Sequence, residues 1–136
     1  MVRGVIKILV LGMVVMVVAQ PSYDERWEGE AEGTVVVDGD TIEPWANWTA
    51  WIENDYTPGE DTIWGVWHDT ETEAYGNIYG HRNESDGSAS GTWDCANYNV
   101  SGGWSGIFTG DTCEGDWWTT PPPSGSGDWW GNKVEP

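Results

Sequence analysis

The chain has 136 residues, with 23 acids against five bases and twelve tryptophans. A length of this order allows one small domain. The shortage of Lys and Arg excludes phosphate recognition, and with it a nucleic-acid partner; it also disfavours an anionic membrane surface.

Arg3 and Lys7 precede an apolar run from Ile8 to Val18, and Ala19 then gives way to Gln20-Pro21-Ser22. A charged start, a short apolar stretch and a small residue are the parts of a secretory signal peptide, expected here over 1–19. The run of eleven residues is short for a membrane span, which needs about 20. No transmembrane segment is therefore expected after cleavage, and the protein is expected to be secreted or held at the cell surface.

Both leucines and all three methionines lie in that leader. The rest keeps five Ile, six Val and one Phe, a poverty that with high net charge usually signals disorder. All twelve tryptophans remain, however, and each can bury on the order of 200 Å². Indoles can thus replace leucines as core. A Leu-free, Met-free, Gly-rich chain is a poor helix former, whereas Val, Ile, Thr, Trp and Tyr suit pleated strands.

From Trp27 to Val37 the chain alternates: Trp27, Gly29, Ala31, Gly33, Val35 and Val37 face one way, with Glu28, Glu30 and Glu32 on the other. Period two predicts a strand with its carboxylates in water. Asp38-Gly39-Asp40 predicts a turn. Residues 41–53, with Trp45, Trp48 and Trp51, read as an irregular strand, and 54–61 as a loop turning at Pro58-Gly59. Strands follow at 62–68, 73–81, 88–95, 102–109 and 112–118. Residues 120–136, beginning Pro121-Pro122-Pro123 and Ser-Gly-Ser-Gly, read as a tail or linker after a single β domain over 20–119.

Pairing these strands antiparallel across their loops yields two rows. One holds Gly65, Gly76, Trp93, Trp104 and Trp117; the next holds Ile63, Ile78, Gly91, Gly106 and Gly115. A glycine leaves room for a neighbouring ring to lie on the backbone. Asn77, Ser90, Thr92, Ser105, Glu114 and Asp116 fall on the opposite, wet face. The expected fold is all-β: an antiparallel up-and-down meander of about seven strands forming a small barrel or roll, with a two-sheet sandwich as the alternative. Gly91-Thr92-Trp93 within such a sheet resembles avidin-type barrels over those three residues, and no function is carried over from it.

Cys95 and Cys113 would be expected to pair in an exported chain, yet the registers hold them about 20 Å apart along the strands, so either the register of 88–118 is wrong or the two thiols are not joined within this chain. No nucleophile elbow or reactive-cysteine signature occurs, so no enzyme is expected, and a small secreted hydrolase is the least favoured reading. Carboxylate pairs such as Glu28/Glu30 and Glu114/Asp116 have glycosidase-like spacing but also suit a solvated acidic face. No cofactor is expected. Ca²⁺ is admitted at Asp38/Asp40, Asp55/Glu60/Asp61 and Asp69/Glu71/Glu73, because clustered carboxylates supply the oxygens it needs. N-glycosylation sequons start at Asn47, Asn83 and Asn99.

The same registers place Trp64, Tyr75 and Tyr79 on the wet face around Asn77. These four are the candidate ligand-binding residues. Sugar rings stack flat C–H faces on such rings while amides bond their hydroxyls. The expected function is an exported or cell-surface binding module for carbohydrate, with a glycan or another surface protein as partner. The alternative is a structural surface protein in which strand 41–53 covers these aromatics as a second core.

Overall fold

The computed structural model describes residues 23–135, the side chains of Asp55 and Tyr56 excepted. The expected leader, 1–19, lies outside the described residues. Ten strands run in order: β1 (Glu25–Glu32), β2 (Val35–Val37), β3 (Asp40–Ile42), β4 (Asn47–Thr57), β5 (Glu60–His68), β6 (Tyr75–Asn83), β7 (Ser88–Cys95), β8 (Ser101–Thr109), β9 (Thr112–Thr119) and β10 (Ser126–Glu135). Eight of them close an antiparallel barrel in the order β1-β10-β9-β8-β7-β6-β5-β4, and β2 and β3 form a separate two-stranded sheet. The all-β barrel expected from the alternation is present, without a helix among the described residues.

Eight strands leave a lumen that side chains can just fill. Here eight indoles occupy it: Trp27, Trp45, Trp48, Trp67, Trp93, Trp104, Trp117 and Trp129 are all buried. Their neighbours are mostly glycines. A Cβ added to Gly80 would lie 2.4 Å from Trp104, and one on Gly106 2.3 Å from Trp129. Six of the rings donate their N–H to backbone carbonyls, such as Trp67 to Asp94 and Trp93 to Trp118. Trp27 donates to the Glu25 carboxylate. Seven of the eight indole edges are thus satisfied on or beside the barrel wall, in keeping with the cost of an unpaired buried donor.

The expected tail is corrected by β10. Residues 126–135 pair with both β1 and β9 and close the barrel. Gly127, Trp129, Gly131 and Lys133 alternate with Asp128, Trp130 and Asn132, the same small-and-aromatic alternation as in the other strands. It stands beside a Pro/Gly/Ser run that reads as a linker, and its partner β1 is about a hundred residues away.

Three further expectations are corrected. The strand expected over 27–37 breaks at Gly33, whose φ of 109° takes the chain out of the barrel wall. The 41–53 strand divides at Pro44-Trp45, with Trp45 at φ 65°, so Trp45 and Trp48 enter the lumen while Trp51 faces outward. The 54–61 loop is instead a hairpin between β4 and β5 that turns at Pro58-Gly59, with Gly59 at φ 83°.

The β8–β9 register matches expectation, with Trp104 opposite Trp117 and Phe108 opposite Cys113. Three others are displaced by two residues. Ile63 faces Gly80 rather than Ile78, Ile78 faces Trp93 rather than Gly91, and Gly91 faces Trp104 rather than Gly106. Even displacements keep every side chain on its expected face. Trp93, Trp104 and Trp117 are therefore still buried together, with Trp93 edge-on to Trp117 at 5.8 Å. Cys95 and Cys113 are both free thiols.

The barrel ends are closed differently. At one end the β2–β3 hairpin brings Val35, Val37 and Ile42 over the lumen, fastened by the Tyr98 hydroxyl on Asp40 and by Asp69 accepting from the Glu43 N–H. At the other end Arg82 is clamped between Asp61 and Glu25, at 2.6 and 3.1 Å. Burial pushes the Glu25 carboxyl upward, but hydrogen bonds from Arg82 and the Trp27 indole outweigh it and hold the group below its ordinary value.

Candidate functional site

The outer wall has the opposite character to the lumen. Glu28, Glu30, Glu32, Glu114, Asp116 and Asp128 are all exposed on β1, β9 and β10. An apolar lumen inside a polar wall reverses the pattern of a membrane barrel, which is apolar outside.

Four tryptophans depart from this rule and face outward: Trp51, Trp64, Trp118 and Trp130. Trp51, Trp64 and Tyr79 form one cross-strand row on β4, β5 and β6. The Trp51 and Trp64 rings lie nearly parallel, 6.5 Å apart at 25°. Both are half-buried, whereas Tyr79 is 49% exposed. The displaced register puts Tyr79, rather than Asn77, directly opposite Trp64. Asn77 lies one row away, facing Val66, and Tyr75 faces His68 with 54% exposure. All four candidate residues thus share one outward surface of β5 and β6.

Sequence reasoning missed Trp51, because spacing of three among Trp45, Trp48 and Trp51 obscured which faced out. It also missed Asp94, which faces Asn77 and accepts from both its backbone N–H and its amide, at 3.3 and 3.1 Å. The expected covering layer is overturned: β4 lies beside β5 in the same wall, so Trp51 extends the aromatic row instead of burying it.

The Asp-rich clusters are engaged in architecture. Asp69 accepts from the backbone N–H groups of Glu71 and Glu43 and from the Thr72 hydroxyl. Asp61 is paired with Arg82, and Asp40 with Tyr98. Among the described residues no group of three or more His, Cys, Asp or Glu is placed to hold a metal ion. His81 faces Thr62 and stands 3.8 Å from Glu60, while His68 faces Tyr75. Of the sequon asparagines, Asn83 and Asn99 are exposed in or beside loops and Asn47 is half-buried on β4.

Two depressions mark the wall on either side of Trp130. One, of about 630 Å³, is lined by Ser105, Ile107, Glu114, Asp116 and Asp128; the other, of about 650 Å³, by Glu28, Glu30, Asn47, Val66 and His68.

No known protein family, curated protein or solved structure matches this chain.

Proposed function

We propose that this protein is an exported or cell-surface binding module that takes carbohydrate on the outer face of β4–β6, without turnover. One observation carries the reading. The chain sends eight indoles into the lumen, yet aligns Trp51, Trp64 and Tyr79 in one outward row. Outward aromatic rows in so polar a wall call for a partner. Rings supply a stacking surface for the C–H faces of a sugar. Asn77 and Asp94 beside them supply an amide and a carboxylate for its hydroxyls.

A glycan array on the purified protein, with and without Ca²⁺, tests this. Binding to a defined glycan class is expected, with a shift in tryptophan emission. Trp64→Ala should abolish it at an almost unchanged melting temperature. If no glycan binds and tryptophan emission stays constant, the structural surface protein becomes the standing reading.

A further inference from the structure

Another of the outward tryptophans stands three strands round the barrel from β5. Trp130, on β10, is 40% exposed. Directly opposite it are Glu30 on β1 and Glu114 on β9. Glu28 and Glu32 lie diagonally on β1, Asp116 lies diagonally on β9, and Asp128 is two residues away on the same face. Cross-strand and diagonal neighbours lie about 5–8 Å apart, so six carboxylates surround one indole.

Among the described residues, no Lys or Arg neutralises this ring of acids beyond its edge. Arg26 bonds Glu28 and Glu135. Arg82 is held at the barrel end by Asp61 and Glu25. Lys133 reaches Asp111 at 3.7 Å and lies over the inward ring of Trp27. Solubility accounts for a field of carboxylates but not for an indole at its centre. The negative face of an indole attracts a cation, and the aliphatic stem of Lys or Arg packs on apolar surface. Ile107 supplies such surface beside Glu114, at 44% exposure.

We propose that the outer face of β8, β9, β10 and β1 is a docking surface for an extended Arg/Lys-rich segment of a partner protein, centred on Trp130. The charge complementarity is with a polycation, and the dimensions suit an extended chain. From Ile107 on β8 to Glu30 on β1 spans three strand spacings, about 14 Å, which is about four residues of extended backbone. The two depressions leave room on both sides of the indole. This surface is centred on β9 and β10 and does not rest on the glycan reading, although the second depression reaches Asn47, Val66 and His68 at the border of the β4–β6 face.

The test titrates a labelled (Arg-Gly)₅ peptide into the purified protein in 150 mM NaCl, beside (Glu-Gly)₅ and spermine. Saturable binding of the arginine peptide alone is expected, with NMR shifts confined to β1 and β8–β10. Trp130→Ala should weaken it roughly tenfold or more, while Trp64→Ala leaves it intact. Glu30→Gln with Glu114→Gln, which keeps the indole and alters only exposed groups, should weaken it likewise. Absence of saturable binding, equal affinity in the Trp130→Ala and charge variants, or shifts spread over the whole acidic surface would overturn the proposal. Spermine binding as tightly with the same Trp130 dependence would also overturn it, by showing a small-cation site.

Discussion

Trp104 donates its indole N–H to the carbonyl oxygen of Tyr79 at 2.9 Å, two strands away. Trp104 pairs with Gly91 across the strands, and its ring lies against Gly80 one strand further on. An inward tryptophan thus holds the backbone of the residue whose side chain lies in the outer aromatic row. Lumen packing and the shape of the candidate glycan face are mechanically joined there.

Trp104→Ala should cost about 3–5 kcal/mol in urea unfolding, because a large buried ring leaves a cavity. Gly80→Ala should also destabilise markedly, since its Cβ would lie 2.4 Å from both Trp104 and the Ser90 carbonyl. A Gly80→Ala protein as stable as the parent would contradict the close packing of indole on glycine.

Trp45 and Trp104 should respond differently to phenylalanine. The Trp45 ring stacks on Trp129 at 5.4 Å, but its buried N–H has no partner among the described residues. Trp104→Phe strips the Tyr79 carbonyl of a donor, whereas Trp45→Phe removes an unsatisfied one. Trp45→Phe should therefore be the milder change by about 1–3 kcal/mol, read from paired chemical denaturation curves.

The Arg82 clamp should be costly to break from one side. Arg82→Ala takes the paired cation from Asp61, which is 1% exposed, and breaking a buried pair from one side costs about 3–5 kcal/mol. Glu25 titrates below its ordinary value, so its contribution is present above that value and lost as pH falls through the lower folded one. Thermal melts should show this acid loss below about pH 4.5, and Glu25→Gln should flatten it.

The acidic wall should show the opposite trend at milder pH. A hydrogen bond with Asp128, its cross-strand partner, raises the Asp116 carboxyl above its ordinary value. The folded state then binds a proton more readily than the unfolded one, so this pair adds stability as pH falls. Added NaCl should also raise the melting temperature by screening carboxylate repulsion. Asp116→Asn should raise it at pH 7 by up to about 2 °C. A melting temperature indifferent to salt would contradict this.

Burial pushes the Cys113 thiol up to about 12. Native protein at pH 8 should therefore leave Cys113 unlabelled by a thiol reagent, while the half-buried Cys95 reacts first. Because the folded value lies above the ordinary one, near 9, burial of the neutral thiol contributes stability below pH 9 that is lost as pH rises toward 12. Cys113→Ala should reduce that alkaline loss.

On β1 and β5 to β9 the face of each strand residue was legible in the amino-acid sequence, because alternation is local and an even register error leaves it unchanged. That is why Trp93, Trp104 and Trp117 were recognisable as core, and Trp64, Tyr75, Asn77 and Tyr79 as one outward group. The two-residue Gly110-Asp111 turn left its register no freedom, and it alone of the four agreed. Loop consumption was decided in three dimensions. The 69–74 loop closes around the Asp69 carboxylate and lengthens by two residues. The 84–87 loop, tied by Asn83 to Ser85 and by Asp86 to Ser88, shortens by two. Only tertiary structure could place β10 between β1 and β9, seat Trp45 in the lumen and set Trp51 beside Trp64. Those contacts join residues far apart in the chain or depend on one backbone reversal, and neither leaves a periodic trace.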